Sequence, residues 1–318
     1  EQAYKHQLSK TWQQPQLSDR TRYVQYSSDQ RERTVVDYQH NTITLEVQGQ
    51  VDKPQMVERI RQRLQQLQRT TVTDAVRSDP VIQQLPETVK QQLQVTDATP
   101  LLEPNTDPAA VAEPAAENST SSASTSKITV KLPDSSADAR VKRVLPSVRV
   151  YAQKHGLSVP LVLAIIHTES SFNPMARSHI PAFGLMQIVP TSAGRDISDY
   201  LYGKQQLFSP GYLFDPDNNI EAGSVYYYLL NRRYFKQVRN DEVRELLSIA
   251  AYNTGPGNVA NTFGRDYSLQ QASAAANRMD QQQVYQHLMT HLPAQETKDY
   301  LQKILRRQTH YQQLMETL

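Results

Sequence analysis

The sequence predicts an α+β protein, with a small N-terminal α+β domain followed by an all-helical domain. Three short segments between Thr21 and Val47 alternate apolar and polar residues with the period of two that β-strands have. From about Ala139 onward, nearly every segment repeats its apolar residues with helical spacing. Because the length of 318 residues also exceeds the usual size of one domain, we expect two cores.

The N-terminal domain is predicted to pair a sheet with a helix that covers it. From Pro54 the apolar residues Met56, Ile60, Leu64 and Leu67 fall on one helical face, and Pro54 suits a first helical turn. The residues Gln39 to Asn41 are expected to form a hairpin turn. The predicted elements are strands over 22–26, 34–38 and 42–47, a helix from Pro54, a second helix near 86–93, and a last strand over 127–133 that rejoins the sheet.

Residues 99–126 separate this last strand from the others. They are rich in Pro, Ala, Ser, Thr, Asn and Glu, a composition that buries too little apolar area to offset the entropy of ordering. We therefore expect a flexible insert there. The domain boundary then falls near residue 134, which divides the chain into 1–134 and 135–318.

The C-terminal domain is predicted to be a set of helices joined by loops. Ser158 is a good N-cap for a helix that carries Val162, Ile165, Ile166 and Glu169. Long loops are expected between Phe172 and Phe214. The other predicted helices begin near Val141, at Asp215-Pro216, and over 242–252, 281–289 and 296–314.

Composition and charge argue against several classes of function. The net charge is only +2 and the basic residues are scattered, whereas nucleic-acid binding needs a concentrated basic surface, so no nucleic-acid partner is expected. Cysteine is absent, which excludes disulfides and thiolate chemistry. The chain begins at Glu1 rather than Met, and we expect a precursor with an upstream segment.

Glu169 is the residue best suited to act as a general acid. It follows Ile165 and Ile166 by four and three residues, so its carboxyl is expected on the apolar side of the helix. Burial there raises the pKa above the usual value of about 4.3 and keeps a carboxylic acid protonated near neutral pH. A lone Glu at a helix end is more often a capping or outward-facing residue, and the motifs around it decide between the two interpretations.

Four sequence blocks carry a family resemblance. They are Glu-Ser-Ser-Phe-Asn-Pro at 169–174, Gly-Leu-Met-Gln at 184–187, Ala-Tyr-Asn-Thr-Gly-Pro-Gly at 251–257, and the segment 292–300. In order and spacing they resemble the goose-type lysozyme and lytic transglycosylase superfamily, the glycoside hydrolase family 23 type. Within it they are most similar to the soluble and membrane-bound lytic murein transglycosylases. The resemblance covers residues 139–307.

The N-terminal domain adds to the resemblance. Residues 19–24 and the Ile43-Thr44 hairpin are similar to the N-terminal domain of a membrane-bound member of the family. The insert at 99–126 departs from the family pattern. Because this domain has no catalytic constellation of its own, we expect an accessory unit that is either a scaffold or a binding unit for a protein partner of the cell wall or envelope.

The resemblance implies a lysozyme-like fold and a lyase reaction on peptidoglycan glycan strands. Glu169 would protonate the oxygen of the β-1,4 bond between N-acetylmuramic acid and N-acetylglucosamine, and then accept the proton of the muramyl C6 hydroxyl. That hydroxyl closes a 1,6-anhydro ring without water, so one carboxyl replaces the pair that ordinary glycosidases use. No cofactor or metal is implied, and both exo and endo cleavage stay open.

The resemblance also implies a set of substrate contacts. Ser178 can bond Glu169 or the substrate acetamide, Gln187 offers a donor and an acceptor to a sugar, and Tyr252 offers a hydroxyl and a ring for stacking. Met186 either lines the cleft or packs in the core, and Asn253 either holds its loop or contacts substrate. Gly255 and Gly257 are expected to adopt angles that other residues disfavour. The predicted substrate-binding residues are Ser178, Met186, Gln187, Tyr252, Asn253, Glu296 and Tyr300, with the Tyr300 hydroxyl orienting Glu169.

Two other functions are weighed against the lyase. A true lysozyme on the same fold would need a positioned water and a second carboxylate, and a wall-binding module would keep the cleft without turnover. His287 and His291 are four residues apart, as in some metal sites, but Pro293 follows at once and no metal site is expected. The family implies a periplasmic location, with a lipid anchor at the outer membrane in the precursor.

Overall fold

A computed structural model describes residues 1–85, 87, 95–103, 119–122, 125–264 and 266–316. The chain divides into two compact units, and each unit draws on segments that are separate in sequence. The first comprises Glu1–Pro146, Glu169–Pro190 and Phe208–Asn219, and the second comprises Ser147–Thr168, Thr191–Leu207 and Ile220–Leu318.

The first unit contains an antiparallel five-stranded sheet. Its strands lie in the order β1 (Arg22–Tyr26), β2 (Glu32–Asp37), β3 (Thr42–Gln48), β5 (Thr125–Lys131) and β4 (Ser119–Ser122). Along β3 every second residue is buried, and Leu45 stands opposite Ile128 of β5. The predicted strands, and the return of the last one to the sheet, are confirmed.

Helix α2 buries the predicted apolar face. Asp52 accepts a hydrogen bond from the Gln55 backbone N–H at 2.9 Å and caps the helix. Met56, Ile60 and Leu64 are almost fully buried, as is Leu67, and each such burial stabilises the unit by about 1.5–3 kcal/mol. The helices of this N-terminal part are α1 (Gln2–Leu8), α2 (Lys53–Arg69), α3 (Val72–Ser78) and α4 (Pro80–Gln83).

Both ends of the segment 99–126, which was expected to be a flexible insert, form structure, and the expectation for the rest of the segment stays a prediction. Leu101 and Leu102 are buried in the core, and the Leu101 backbone bonds Thr70 and the Tyr38 hydroxyl at 2.9 Å each. Strand β4 also falls in this range. Two adjacent leucines at the start of a long polar segment change its average composition little, although they are apolar enough to bury. Residues 104–118 and 123–124 lie outside the described residues. The helix predicted near 86–93 also lies outside them, except for residue 87.

Two residues from far along the chain complete the core of the first unit. Met175 and Phe214 are buried in the same hydrophobic cluster as Ile43 and Leu64. The sheet and α2 alone therefore do not form the whole core.

Helices follow β5 through the rest of the described chain. In the second unit α10 (Asp241–Thr254) is buried along most of its length, and it packs against α11 (Pro256–Asn261), α13 (Gln281–His291) and α14 (Gln295–Glu316). An N-terminal sheet followed by a helical remainder confirms the predicted α+β class. The helices are α5 (Asp134–His155), α6 (Val159–Ser170), α7 (Ala193–Tyr202), α8 (Pro210–Phe214), α9 (Pro216–Leu229), a π-helical turn (Leu230–Tyr234), α10 (Asp241–Thr254), α11 (Pro256–Asn261), α12 (Leu269–Ala276), α13 (Gln281–His291) and α14 (Gln295–Glu316).

The region between Phe172 and Phe214 was expected to be loops, but it holds α7 and α8. Helix α7 buries Ile197 with small residues such as Ala193 and Ser198, so its apolar spacing is too sparse to predict a helix. Helix α5 begins at Asp134, and the first compact unit extends to Pro146. The domain boundary near residue 134 stays a prediction. None of the helices in the described ranges is long and apolar enough to cross a membrane.

Candidate active site

Glu169 lies in the last turn of α6. The Ser158 hydroxyl accepts a hydrogen bond from the Leu161 N–H at 3.1 Å and caps this helix, as predicted. Ile165 and Ile166 are fully buried, and Glu169 itself is only 6% exposed. The predicted burial of this carboxyl is therefore confirmed.

Arg20, just before β1, contacts Glu169 at two points. Its Nη2 lies 3.3 Å from the Glu169 carboxylate oxygen Oε2, and its Nε donates to the Glu169 backbone oxygen at 3.0 Å. A guanidinium at this distance favours the charged carboxylate. The apolar surroundings of Glu169 were predictable from the helical spacing of Ile165 and Ile166, whereas this cation was not.

The chain leaves α6 through two residues in the left-handed region. Ser171 has φ 52° and Phe172 has φ 64°, a conformation that costs about 1–2 kcal/mol for each residue with a side chain. Asn173, which is fully buried, holds the turn. Its Oδ1 accepts from the Met175 N–H at 3.0 Å, and its Nδ2 donates to the Arg20 carbonyl at 3.3 Å. The strained turn is thus fixed to the segment that carries Arg20.

The Gly-Leu-Met-Gln block is held by a buried asparagine, Asn219. Its Oδ1 accepts from the Met186 N–H at 2.7 Å, and its Nδ2 donates to the carbonyls of Phe183 at 2.8 Å and Leu213 at 2.7 Å. Gly184 has φ 77° and lies against this amide. Asn219 therefore bonds backbone groups on both sides of Gly184 and joins them to Leu213.

Gln187 ends the same block in a strained backbone conformation, with φ 51°. Its Nε2 donates to the Gly184 carbonyl at 3.0 Å. Its Oε1 is buried, and among the described residues it has no hydrogen-bond partner. Such an acceptor can take a hydrogen bond from a hydroxyl or amide of a bound molecule.

Ser178 and Met186 belong to the same unit as Glu169 and Gln187. The Ser178 hydroxyl donates to the Ile180 carbonyl within its own loop, which leaves its oxygen able to accept. Met186 is fully buried, and this favours the alternative that it packs in the core. Contact of either residue with substrate stays a prediction.

The other predicted site residues lie in the second unit. Tyr252 is 8% exposed and its ring centroid is 5.2 Å from that of Tyr226. The Asn253 side-chain oxygen accepts from the Thr297 hydroxyl at 2.8 Å, a contact that holds its segment. Tyr300 is buried in α14, and Glu296 is exposed in the first turn of that helix.

The two glycines of the third block differ. Gly255 has φ 87° at the end of α10, as expected of a residue without a side chain. Gly257 lies in α11 without a positive φ, and a Cβ there would meet only Tyr267 at 3.6 Å. The expectation of a special backbone angle at Gly257 is therefore wrong, because this residue already belongs to a regular helix.

The histidines considered in the sequence are engaged in other contacts. The rings of His287 and His291 stack at 4.3 Å, with His287 Nε2 bonded to the Thr262 carbonyl at 3.0 Å. His167 Nδ1 bonds the Tyr311 hydroxyl at 2.9 Å. Across the ranges that the structure describes, no cluster of three or more His, Asp or Glu side chains is arranged to hold a metal ion.

Comparison with known proteins defines the class of this domain: residues 146–275 match the Transglycosylase SLT domain. This range contains Glu169 and the first three sequence blocks. The predicted resemblance to lytic murein transglycosylases is confirmed.

The particular relatives are proteins called membrane-bound lytic murein transglycosylase C. The one from Sodalis glossinidius is 42% identical over 184 residues, which are 58% of this chain and 51% of that protein. The one from Klebsiella pneumoniae is 43% identical over 184 residues, or 58% of this chain and 50% of that protein. The chain thus spans about half the length of the curated relatives that it matches.

Among solved structures, the chain is similar to the 70 kDa soluble lytic transglycosylase SLT70 from Escherichia coli. The identity is 28% and the TM-score 0.42, over 54% of this chain and 24% of that one. An inactive mutant of the lytic transglycosylase Slt from Pseudomonas aeruginosa is 26% identical with a TM-score of 0.40, over the same shares of the two chains.

Proposed function

We propose that this chain is a lytic transglycosylase that cleaves peptidoglycan glycan strands without water, as a carbon–oxygen lyase. The observation that carries the proposal is the buried carboxyl of Glu169 at the end of α6, inside the range that matches the SLT domain. The relatives' names, which specify a lytic murein transglycosylase, support the same substrate class.

In the proposed reaction Glu169 acts first as acid and then as base. Its proton passes to the bridging oxygen as the bond from that oxygen to C1 of N-acetylmuramic acid breaks. The C6 hydroxyl of the same sugar then bonds to C1, and its proton returns to Glu169. The products are a strand with a free 4-hydroxyl and a 1,6-anhydromuramyl end, and the carboxyl is restored.

The predicted substrate-binding residues would bind and orient the sugar. The Oε1 of Gln187, which has no partner among the described residues, would accept a hydrogen bond from a sugar hydroxyl or acetamide N–H. Ser178, Tyr252 and Tyr300 would add polar and ring contacts, and Glu296 would contact the strand at the exposed start of α14.

Mass spectrometry of the muropeptides released from purified sacculi tests this proposal. The wild type should release anhydromuramyl products, which are lighter than hydrolytic products by one water. Glu169→Gln, which keeps the shape of the side chain, should release none. Glu58→Gln, at an exposed glutamate of α2, is the matched control and should behave as wild type.

Two results would contradict it. Products with reducing ends would indicate the hydrolytic lysozyme, and binding to sacculi without any release would indicate a wall-binding module.

A time course of product lengths separates exo cleavage from endo cleavage. Anhydrodisaccharides from the start mean exo cleavage, whereas long fragments that shorten later mean endo cleavage.

The proposed location is the periplasm, with the full-length precursor anchored by lipid to the outer membrane. The word membrane-bound in the relatives' names supports an envelope location. Fractionation of cells that express the tagged precursor should recover it with outer membranes. Recovery in the soluble periplasmic fraction would contradict the anchor.

A further inference from the structure

We infer that Arg20 is a positioning residue for Glu169, so that the N-terminal segment contributes to the active site. This inference rests on the proposed function, in which Glu169 is the acid and base. Arg20 is not part of the four sequence blocks and lies outside the range that matches the SLT domain. It reaches the carboxyl from a position 149 residues earlier in the chain.

The backbone that carries Arg20 is rigidly held. The Asp19 side chain accepts hydrogen bonds from the N–H groups of Thr21 at 2.9 Å and Arg22 at 2.8 Å. The Asp19 carbonyl accepts from the Arg177 N–H at 3.3 Å, in the loop that follows Glu169. Because both sides of Arg20 are tied, its guanidinium is presented to α6 from a fixed point.

Arg20 also supplies a donor that α6 lacks. In a continuing helix the Glu169 carbonyl would accept from the N–H of residue 173, but the Asn173 N–H donates to the Ser170 carbonyl at 3.0 Å instead. Arg20 Nε bonds the Glu169 carbonyl in its place. One guanidinium therefore caps the helix and holds the side chain of the same residue.

This arrangement has a chemical consequence for the two roles of Glu169. The acid step needs the protonated carboxyl, whereas the base step needs the carboxylate, which a nearby cation stabilises. Arg20 is thus suited to set the pH above which the acid form is lost. Two further titratable groups contact the last turn of α6: the Tyr311 hydroxyl bonds His167, and Arg307 donates to the Thr168 hydroxyl at 2.9 Å.

Arg20→Met and Arg20→Lys test the inference, with Arg31→Met as the control at an exposed arginine of the β1–β2 turn. The first readout is the titration of the Glu169 carboxyl by NMR with ¹³C-labelled glutamate, assigned through Glu169→Gln. In Arg20→Met the midpoint should move to higher pH by about one unit, because an opposite charge has been removed. Arg20→Lys should move it less, and Arg31→Met should leave it unchanged.

The second readout is the pH profile of muropeptide release. In Arg20→Met the pH at which kcat/KM declines on the alkaline side should rise by the same amount as the titration midpoint of Glu169. On the acidic side, kcat should fall about tenfold with little change in KM. An unchanged titration and limb in a variant that unfolds at the wild-type temperature would overturn the inference. If the wild type released nothing, the proposed function would fail, while the NMR titration would still test the ion pair.

Discussion

Asn219 occupies the space beside Gly184 that a side chain on residue 184 would need. A Cβ at that position would lie 2.2 Å from Asn219 Nδ2 and 2.1 Å from the Leu213 carbonyl oxygen. The same amide bonds the backbone on both sides of the glycine, at Phe183 and Met186. The glycine and the asparagine are therefore a matched pair that shapes the second sequence block.

Gly184→Ala should destabilise the protein by about 3 kcal/mol or more, because the methyl group overlaps two fixed atoms and φ is 77°. Urea unfolding measures the loss. Gly156→Ala is the control: its φ is 62° but nothing lies within 4 Å, so it should cost only about 1 kcal/mol. Equal losses in the two variants would show that overlap with Asn219 is not the cause.

Removal of one partner of the Arg177–Asp79 pair should be costly. The Arg177 side chain is 8% exposed and the Asp79 side chain 5%, and Arg177 Nη1 lies 2.9 Å from Asp79 Oδ2. Arg177→Met therefore leaves a buried carboxylate that has lost this partner. We expect a loss of about 3–5 kcal/mol in the free energy of unfolding.

A double-mutant cycle with Asp79→Asn checks the origin of that loss. Asp79 accepts hydrogen bonds from the Val81 and Ile82 N–H groups at the start of α4, and an Asn at this position can still accept them. The double variant should therefore recover much of the stability. The exposed Lys131–Asp134 pair is the control, and Lys131→Met should change stability by less than about 1 kcal/mol. Purely additive losses at Asp79 and Arg177 would argue against a coupled pair.

Gln187→Met should separate stability from activity. It removes a buried oxygen that has no partner among the described residues, but it also removes the Nε2 hydrogen bond to the Gly184 carbonyl, so the two effects oppose each other and the free energy of unfolding should change by less than about 1 kcal/mol. If this oxygen binds the sugar, kcat/KM for muropeptide release should fall about tenfold or more. Full activity in this variant would exclude Gln187 from substrate binding, and a loss of stability would show that the amide supports its own loop.

His155 should make stability depend on pH. Burial and the nearby Lys154 charge lower the pKa of His155, whereas Glu221 opposes the shift. A pKa lowered in the folded state gives a stability that is present above the unfolded value of about 6.5 and is lost as the pH falls below it. The His155 ring makes an edge contact with Tyr200 and a tilted contact with Tyr228, so His155→Phe should keep the packing.

Denaturant unfolding between pH 7.5 and 5.5 is the measurement for His155. The wild type should lose more stability over this range than His155→Phe does. The exposed His179 provides the control, and His179→Phe should keep the wild-type slope. Parallel slopes for wild type and His155→Phe would show that this histidine does not carry the effect.

Elements with one buried face were predictable because burial imposes a period on the sequence. The alternation along β3 and the apolar face of α2 gave both elements their correct position, and the spacing of Ile165, Ile166 and Glu169 predicted a buried carboxyl. Helix α7 was not predictable in this way, because it packs through small residues around Ile197.

The residues that hold the candidate site in place through hydrogen bonds were not predictable from local sequence patterns. Arg20 meets Glu169 across 149 residues, and Asn219 meets Met186 across 33. Arg20 and Asn219 are isolated polar residues that belong to no periodic pattern in the sequence. Only the folded chain brings each of them to its partner. The roles of Ser178, Tyr252 and Tyr300 toward substrate stay predictions.

The dispersed core of the first unit also governs how the protein can be made. Met175 and Phe214 pack with the sheet, so a growing polypeptide cannot finish this core until the ribosome has passed residue 214. Until then, the apolar surface of the sheet and α2 is incompletely covered. An N-terminal fragment that stops near residue 134 would carry the same exposed surface permanently, and it is a poor starting point for recombinant production.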